Sequence, residues 1–384
     1  MPEPELLECG HCGREADAGE LQTTCPDDGR PWLARYDLEA IAAGHELADL
    51  AGGRNDLWRY EPVLPTVAPE NRASLGAGHT PLVDAPRVGD ELGLDQVLVK
   101  DEGHNPTGTF KARGMEMAMS RALELGAERF AVPTAGNAGA AMAAYAARAG
   151  VPARLFVPED ADDSVFERAE DFAAEIETVD GLITDAGDAC SEYVEAHDDV
   201  FDLSTLKEPY RLEGKKTMGY ELAAQLDGEL PDVIVYPTGG GTGLIGMWKA
   251  FAEMEEMGWI AGDKPRMVSA QAAGCAPIVE ALEAGAEFAE APENPHTDAG
   301  GLRVPEAVGD FLILETIRDS GGAAVAVTDE EIHDAKDRMP RASGVSACTE
   351  SAATLAALEA MVDEDVVAED EMVVLFNTGA GWTG

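Results

Sequence analysis

The sequence predicts an α/β protein with two parallel-sheet domains. Short apolar segments alternate with helical segments from residue 97 to residue 376, and this βαβ rhythm is typical of parallel strands joined by right-handed crossovers. Glycine-containing turns directly follow several of the predicted strands and open the next helices. The length of 384 residues, of which 45% are hydrophobic, is ample for two domains with separate cores.

The predicted elements follow one another in two series. In the first series, a strand at 97–99 leads through a polar loop into a helix at 115–125. Strands at 130–133, 154–157 and 175–179 then alternate with helices at 137–149, 164–172 and 185–196. Alanine enrichment and a terminal Gly150 indicate the helix at 137–149. We interpret residues 104–205 as a small α/β domain.

The second series predicts the larger domain, formed by residues 36–103 and 206–384. A short helix at 36–44 precedes it in the chain. Its further strands are expected at 233–236, 267–269, 323–327 and 372–376. Its further helices are expected at 216–226, 244–257, from 277, and at 305–319, 329–339 and 351–361. The Pro/Gly-rich residues 284–303 are expected to form a loop that faces the functional site.

Residues 1–35 contain a cysteine pattern typical of a small metal-binding appendage. Cys9 and Cys12 form a complete Cys-x-x-Cys knuckle, whereas Cys25 stands three residues before Asp28, where a zinc ribbon has its fourth cysteine. Asp28 or His11 could complete a structural zinc site. The alternative is a turn-rich appendage without metal. Cys190, Cys275 and Cys348 are isolated and predicted to be small core residues.

The charge of the chain excludes some classes of partner. The net charge is −47, with 74 acidic and 27 basic residues, and such a surface repels nucleic acid and anionic lipid. The acidic residues are scattered, so we expect a folded surface adapted to a salt-rich cytoplasm, where screening shortens the repulsion. The sequence has no apolar run of about 20 residues and no secretory signal at its start, which predicts a cytoplasmic location without a membrane span.

The loop between Lys100 and Gly114 contains the first candidate catalytic residue. This loop is rich in Asn, Pro, Thr and Gly, the residues that form tight polar turns. Lys111 lies where the following helix begins, and the partial positive charge of a helix N-terminus favours a neutral amine. A neutral amine is the form that Schiff-base chemistry needs. The alternative is an ordinary surface lysine at the start of a helix.

A glycine loop at residues 237–243 reads Pro-Thr-Gly-Gly-Gly-Thr-Gly and lies between a predicted strand and a predicted helix. Glycines allow the backbone to approach an anion, and the N–H groups at the helix start point toward it. The loop matches neither the dinucleotide fingerprint nor the P-loop. It predicts a phosphate site, with a tight turn as the alternative. The residues of the site are Gly239, Gly240, Gly241, Thr242 and Gly243.

Two further segments suit anions. Thr134, Ala135 and Gly136 precede Asn137 at a predicted helix start, and their donors suit a carboxylate; Asn137 could also simply cap the helix. The segment 211–217, Arg-Leu-Glu-Gly-Lys-Lys-Thr, forms with Lys207 the densest basic cluster of this acidic chain. The alternative for this cluster is a helix start with solvated lysines.

These motifs together resemble the fold-type II pyridoxal-phosphate enzymes. The stretch Asn-Pro-Thr-Gly-Thr-Phe-Lys-Ala-Arg-Gly at 105–114 is most similar to the threonine synthase family, from about residue 57 onward, and some members carry an N-terminal ribbon. The resemblance implies pyridoxal 5'-phosphate bound to Lys111, with Phe110 beside it and its phosphate in the glycine loop. It also implies that Asn137 contacts the ring hydroxyl, and that Thr378 of the segment 377–381 faces the pyridine nitrogen.

The resemblance also implies a substrate and a reaction. Thr134, Ala135 and Gly136 would hold the substrate α-carboxylate, and Arg211, with Ser204 nearby, would bind a substrate phosphate. The implied enzyme is a homodimeric lyase that converts O-phosphohomoserine and water to threonine and phosphate. The alternatives are a threonine or serine deaminase, which needs no substrate-phosphate site, and a β-replacement enzyme such as cysteate synthase. A ribbon-bearing nucleic-acid binder is disfavoured by the net charge, and a catalytically silent sensor would not need Lys111.

Three departures from the family pattern concern the substrate more than the cofactor. Threonine synthases commonly carry hydroxyl residues after the loop Asn, where this chain has Ala138 and Gly139. They often carry an Asn in the glycine loop, where this chain has Gly240 and Thr242. Ala112 replaces a common Asp after the lysine. Cofactor binding is therefore the firmer expectation.

Overall fold

The computed structural model describes residues 4–159, 161, 163–181 and 183–383. Three sheets organise this part of the chain. Two are built mainly or entirely of parallel strands, and a small antiparallel sheet lies near the N-terminus. The strands, in chain order, are β1 (Leu6–Cys9), β2 (Glu15–Ala16), β3 (Trp32–Arg35), β4 (Leu82–Asp84), β5 (Gln96–Asp101), β6 (Arg129–Pro133), β7 (Ala153–Pro158), β8 (Glu175–Val179), β9 (Val200–Asp202), β10 (Val233–Pro237), β11 (Arg266–Ala272), β12 (Ala324–Val327) and β13 (Met372–Asn377).

Helices connect these strands in the manner of βαβ units. Short 3₁₀ turns also occur at Leu47–Ala51, Leu57–Val63, Pro69–Asn71, Glu102–His104 and Gly300–Leu302. The α-helices are α1 (Leu38–Gly44), α2 (Pro86–Leu92), α3 (Lys111–Glu124), α4 (Asn137–Ala149), α5 (Asp163–Glu170), α6 (Ile183–Glu195), α7 (Tyr210–Gln225), α8 (Thr242–Glu256), α9 (Pro277–Glu283), α10 (Asp310–Asp319), α11 (Asp329–Ser343) and α12 (Thr349–Asp363).

The first compact unit comprises the residues up to Gly44, Arg54–Ala77 and Lys111–Lys215. Its parallel sheet has the order β8-β7-β6-β9. Helix α3 is the buried helix of this unit, because every residue from 112 to 122 is buried. Alanine, glycine and methionine fill much of this buried surface, but Arg113, Glu116 and Arg121 are buried there too. Buried polar groups need partners, and the Glu116 carboxylate accepts hydrogen bonds from the hydroxyls of Ser74 and Tyr145.

The second compact unit comprises His45–Gly53, Gly78–Phe110 and the chain from Lys216. Its sheet has the order β12-β11-β10-β13-β5-β4, with β4 antiparallel to β5 and the other pairs parallel. Apolar residues of the central strands form one core with α2, α11 and α12. Because successive side chains of a strand point to opposite faces, Val233 and Val235 enter this core while Ile234 and Tyr236 point to the other face.

The predicted α/β class is confirmed, and most predicted strands and helices occur within a few residues of their expected positions. Two starts differ. Helix α7 begins at Tyr210, six residues before the predicted start at 216, because the Glu208 carboxylate accepts hydrogen bonds from the backbone N–H groups of Tyr210 and Arg211. Helix α10 begins only at Asp310 rather than at 305. Strands β1 to β4, strand β9 and helix α2 were not predicted from the sequence.

The three isolated cysteines are buried, as predicted. Cys190, Cys275 and Cys348 are each at most 2% exposed. Burial raises the pKa of the Cys190 thiol, and it raises the pKa of the Cys348 thiol to about 12. Both therefore stay protonated at neutral pH and behave as small core residues. Among the described helices, none combines the length and apolar character that a bilayer crossing requires.

Candidate active site

Lys111 is the first residue of α3, where the sequence predicts a helix start. One turn later, α3 packs closely against α7 within the first unit. A Cβ at Gly114 would lie 3.1 Å from the carbonyl oxygen of Arg211, and a Cβ at Gly214 would overlap the carbonyl of Arg113. The two glycines therefore permit a backbone approach that larger residues would prevent, and they bring the Arg211 segment to the first turn of the lysine helix.

Arg211 is buried at the start of α7, with 2% of its surface exposed. Its Nη1 donates to the carbonyl oxygen of Leu203 at 2.6 Å. Burial lowers the pKa of the guanidinium, and the nearby Glu208 and Asp202 carboxylates oppose that shift. The Ser204 hydroxyl donates to Asp202. A buried arginine between carboxylates is held in a fixed position, as a phosphate ligand must be.

The basic cluster is not a set of solvated lysines. Lys215 and Lys216 are completely buried, which makes the simpler interpretation of this segment wrong. Lys216 contacts Glu253 at 3.0 Å, and Lys249 contacts the same carboxylate. Burial alone would favour the neutral acid, but these two cations hold the pKa of Glu253 at about 2. Lys216 therefore lies in the core of the second unit, where the Glu253 carboxylate compensates its charge.

The loop before α4 is closed by a threonine. The Thr134 hydroxyl oxygen accepts hydrogen bonds from the N–H groups of Gly136 and Gly139, at 3.1 and 3.0 Å. Thr134, not Asn137, thus caps the helix, so the alternative in which Asn137 merely caps it is wrong. A Cβ at Gly139 would overlap the Thr134 methyl group. This contact explains Gly139, because a side chain at this position would collide with Thr134.

Asn137 is the first residue of α4, and its side chain is oriented by an arginine. Nη1 of Arg168 donates to the carboxamide oxygen of Asn137 at 2.8 Å. With its oxygen engaged, the carboxamide can offer its N–H₂ group as a donor. Ala135 lies in the same loop and is exposed, and Gly136 has an extended φ of 178°. The first unit therefore combines a capped helix start with a fixed amide donor.

The glycine loop of the second unit, unlike the loop before α4, leads into a helix without a side-chain cap. Helix α8 begins at Thr242, and its N-cap residue Gly241 adopts a left-handed conformation with φ of 71° and offers no side-chain cap. The first N–H groups of an α-helix have no intrahelical partner. A Cβ at Gly239 would overlap the carbonyl oxygen of Gly301, and a Cβ at Gly241 would overlap Ile313. The packing thus requires glycine where the phosphate site was predicted.

Thr378 lies at the end of β13 in a chain of hydroxyl and thiol groups. Its Oγ1 is 3.1 Å from the Oγ of Ser351, which in turn is 3.0 Å from the Sγ of Cys348. The Ser351 oxygen also accepts the backbone N–H of Thr378 at 2.7 Å. The N–H of Phe110 donates to the carbonyl oxygen of Thr378 at 2.9 Å. The structure therefore brings Phe110 and Thr378 together within the second unit.

Three polar residues beside these motifs were missed by sequence reasoning. Arg168 orients Asn137, Ser351 positions Thr378, and the Tyr236 hydroxyl adjoins Gly243 at the start of α8. Each lies in a predicted helix or strand with no recognisable functional motif. Of the three, Tyr236 could have been noticed, because it carries a hydroxyl at the end of an apolar strand, one residue before the glycine loop.

The side chains of the N-terminal appendage form a four-residue cluster in the first unit. Sulfur atoms of Cys9, Cys12 and Cys25 and a carboxylate oxygen of Asp28 all lie within 4.8 Å of one another. Strands β1 and β3 hold Cys9 on their antiparallel pair, and Cys25 begins the turn that carries Asp28. His11 is hydrogen-bonded to Asp28, with Nδ1 3.0 Å from Oδ2. Three thiols and one carboxylate are a donor set that zinc accepts.

The donors of the second unit suit the phosphate and ring of pyridoxal phosphate. The α8 start offers backbone N–H groups that glycine keeps accessible, Thr378 offers a hydroxyl, and Phe110 offers an aromatic face. The buried hydroxyl of Tyr236 has no hydrogen-bond partner among the described residues. The residues present therefore fit this cofactor.

Solved structures of a threonine deaminase and a serine racemase share the fold. A threonine deaminase from Solanum lycopersicum superposes with a TM-score of 0.68 at 19% identity, covering 94% of this chain and 93% of that chain. A maize serine racemase superposes with a TM-score of 0.67 at 23% identity, covering 79% of this chain and 88% of that one. At these identities the likeness shows the fold alone.

Sequence comparisons are more specific. The family described as "Pyridoxal-phosphate dependent enzyme" matches residues 73–379. The chain is 35% identical to a threonine synthase of Methanosarcina acetivorans over 97% of its length and 91% of that protein. It is equally identical to a threonine synthase of Methanocaldococcus jannaschii, over 98% of this chain and 92% of that protein. This chain belongs to the threonine synthase family of pyridoxal-phosphate-dependent enzymes.

Proposed function

We propose that the protein is a threonine synthase, which converts O-phosphohomoserine and water to threonine and phosphate. The observation that carries this proposal is the similarity to two threonine synthases along 97% and 98% of the chain, including the N-terminal cysteine segment. When bound, pyridoxal phosphate supplies an electron sink for charge on the substrate carbons. The protein supplies the binding groups and the proton transfers.

Lys111 is proposed as the catalytic base and acid. Its Nζ would hold the cofactor, and the amine would take and return protons at successive substrate carbons. Phe110 would pack beside the cofactor ring, Asn137 would donate to the ring hydroxyl, and the Thr378 hydroxyl would serve the pyridine nitrogen. The cofactor phosphate would be held by the glycine loop, whose members are Gly239, Gly240, Gly241, Thr242 and Gly243.

The proposed substrate contacts belong to the first unit. The loop of Thr134, Ala135 and Gly136 would bind the α-carboxylate mainly through the Ala135 N–H, since the N–H groups of Thr134 and Gly136 donate to the Phe156 carbonyl oxygen and to the Thr134 hydroxyl. Arg211 binds the phosphate that leaves, with Ser204 beside it, because a guanidinium fork suits a phosphate monoester. The burial of Arg211 and its fixed contact with Leu203 support this assignment, since a preorganised cation loses little freedom when it binds.

The reaction separates the proposal from its alternatives. We expect phosphate and threonine in equal amounts when the purified protein is incubated with O-phosphohomoserine. Keto acid formed from threonine or serine would instead identify a deaminase, and turnover of phosphoserine would identify a β-replacement enzyme. Lys111→Arg keeps the charge but not the amine, and both it and Lys111→Ala should lose turnover and the visible absorption of the bound cofactor.

Substitution of Arg211 tests the substrate-phosphate site. Arg211→Lys keeps a cation near Asp202 and Glu208 but removes the fork, so the KM for O-phosphohomoserine should rise about tenfold or more. The control is Lys207→Gln in the same basic segment, since the Lys207 amine contacts the Ser191 hydroxyl at 3.2 Å. Unchanged KM in Arg211→Lys would remove Arg211 from the site.

We also propose that the N-terminal cluster binds one structural zinc ion. A tetrahedral zinc with Zn–S bonds of about 2.3 Å separates two thiolates by about 3.8 Å, and a thiolate from a carboxylate oxygen by about 3.6 Å. The sulfur atoms of Cys12 and Cys25 are 3.7 Å apart. Sγ of Cys9 lies 3.5 and 3.6 Å from the Asp28 oxygens. These distances support Asp28 as the fourth ligand.

The contacts of Asp28 support a role for His11 beside the ligands rather than as one of them. His11 and the backbone N–H of Arg30 each bond the Asp28 carboxylate at 3.0 Å, and such contacts orient a ligand. Elemental analysis should find about one zinc per chain. Asp28→Cys should retain it, Asp28→Ala should lose it, and His11→Ala should only weaken it. Loss in His11→Ala equal to that in Asp28→Ala would make His11 the ligand.

The homodimer, the cytoplasmic location and the domain boundaries expected from the sequence also belong to this proposal. All six cysteines are free thiols in the structure, which a reducing compartment preserves. Light scattering of the purified protein measures the oligomeric state directly, and a monomer at micromolar concentration would contradict the dimer. Limited proteolysis near residues 103 and 205 would test the boundaries.

A further inference from the structure

Tyr236 carries a buried hydroxyl group with no hydrogen-bond partner among the described residues. Its side chain is 1% exposed. A buried donor that lacks a partner is costly to folding, so such groups are rare and call for an explanation. A hydroxyl that is retained in this state is typical of a group that meets its partner only when a ligand binds.

The position of the hydroxyl is fixed by its aromatic neighbours and by the start of α8. The Tyr236 ring lies edge-on to Phe110, with ring centroids 6.1 Å apart, and is tilted against Phe376 at 5.5 Å. A Cβ at Gly243 would overlap the Tyr236 hydroxyl. Because the Cα–Cβ bonds of a helix tilt toward its N-terminus, the hydroxyl lies at the N-terminal end of α8.

This end of α8 is an anion site in its own right. The helix has 15 residues and no side-chain cap, so the N–H groups of its first turn and its dipole favour a negative charge. The hydroxyl adds a donor at the same place. Burial, together with the nearby Glu102 carboxylate, raises the pKa of Tyr236 well above its usual value, and the group therefore stays protonated and able to donate.

We propose that the Tyr236 hydroxyl is an additional hydrogen-bond donor to the phosphate held by the glycine loop, which under the proposed function is the phosphate of pyridoxal phosphate. The inference rests on that cofactor, not on the identity of the substrate. It also explains Gly243, since any side chain there would take the space of the hydroxyl. Two features thus converge on one ligand: a helix start without a cap and a buried donor without a partner.

The test compares two ligands that differ only in the phosphate. Full-length protein freed of cofactor is titrated with pyridoxal phosphate and with pyridoxal, in the wild type and in Tyr236→Phe. Loss of one hydrogen bond to a charged group predicts that affinity for pyridoxal phosphate falls about 10- to 100-fold. Affinity for pyridoxal should stay unchanged, because the aromatic ring and its packing remain.

Tyr220→Phe is the matched control. Tyr220 is a buried tyrosine of the same unit whose hydroxyl donates to Glu253 at 2.7 Å. Its removal should lower the melting temperature of the cofactor-free protein without changing the ratio of the two affinities. Tyr236→Phe should leave that melting temperature equal or higher, because it removes a hydroxyl that has no partner.

Two outcomes would overturn the proposal. Equal losses of affinity for both ligands would show that Tyr236 acts through ring packing, and no loss for either would show that its hydroxyl bonds elsewhere, for instance to a buried water. These two outcomes differ from the result expected if the threonine synthase proposal itself is wrong. A wild-type protein that binds pyridoxal phosphate but forms no threonine would end the threonine synthase proposal and leave the Tyr236 comparison intact.

Discussion

Two helix starts in this protein are built from similar sequence and behave differently. The loop before α4 and the loop before α8 each connect a parallel strand to a helix, one in each compact unit. Before α4, the Thr134 hydroxyl accepts two backbone N–H groups. Before α8, no side chain caps the helix. The first start is therefore partly satisfied by the protein, and the second is left for a ligand.

The glycines of the two loops differ for the same reason. A Cβ at Gly136 would have no atom within 4 Å, whereas a Cβ at Gly239 would overlap the carbonyl oxygen of Gly301. Tight packing around the α8 loop holds its N–H groups in place without a cap. The comparison shows that a helix start without a side-chain cap depends on packing against neighbouring segments, because no hydrogen bond from its own loop fixes its backbone.

The largest expected effect is that of Gly239→Ala. The new methyl group must displace backbone, and a shift of about 1 Å in a binding loop costs roughly 100-fold in function. We expect the purified variant to retain little pyridoxal phosphate, measured by its visible absorption and by titration. Gly136→Ala is the control: its extended backbone accepts alanine, so cofactor binding and melting temperature should not change. Equal losses in both variants would remove the distinction between the loops.

A third helix start, that of α7, adds a pH-dependent cap. Glu208 accepts the N–H groups of Tyr210 and Arg211, and burial raises its pKa to about 7. The folded pKa exceeds the usual value of about 4.3. At any pH between these two pKa values, Glu208 is therefore mostly protonated in the folded state and mostly ionised in the unfolded state. Stability should therefore fall as the pH rises from about 4.3 to about 7, by roughly 1–3 kcal/mol.

Chemical denaturation at a series of pH values measures this slope. Glu208→Gln keeps an acceptor for the helix N–H groups but does not titrate, so the slope should become smaller by the same amount. Glu253→Gln is a useful contrast, since the pKa of Glu253 is held at about 2 and its contribution is lost at lower pH. An unchanged slope in Glu208→Gln would exclude Glu208 as its source.

Thr134→Val should have a smaller effect. The substitution keeps the shape of the side chain and removes the acceptor of two N–H groups, which is expected to cost about 1–2 kcal/mol of unfolding free energy. Affinity for pyridoxal phosphate should fall far less than in Gly239→Ala, because the cofactor phosphate binds to the other loop and only Asn137 at this helix start would contact the ring. Thr134→Ser retains the hydroxyl and should restore most of the stability. A loss of cofactor affinity in Thr134→Val as large as that in Gly239→Ala would show that the two loops are not independent.

The smallest effect is expected from a pair of substitutions at the α4 start. Gly139→Ala alone places a methyl group against that of Thr134. In Thr134→Ser the opposing methyl is absent, so Gly139→Ala should be less destabilising by about 0.5–1 kcal/mol. A double-mutant cycle of unfolding free energies measures this coupling. Strict additivity would mean that some other contact requires Gly139.

Local patterns predicted much of this molecule. Lys111 opens a helix as expected, because the turn-forming residues before it and the helix formers after it act within a few residues. The glycine loop also lies between a strand and a helix, as the change from an apolar run to glycines predicts. The alternative of an Asn137 cap failed because another acceptor, the Thr134 hydroxyl directly after the strand, accepts the N–H groups of Gly136 and Gly139.

By itself, the sequence determined the α/β class, the order of most strands and helices, and the candidate lysine, glycine and cysteine motifs. These follow from periodicity and turn chemistry, which are properties of neighbouring residues. Only the tertiary structure decided that Arg211 lies one turn from the lysine helix start, that Asp28 joins the three cysteines, and that the Tyr236 hydroxyl adjoins α8 without a partner. Those facts depend on contacts between segments distant in the chain, which no local pattern encodes.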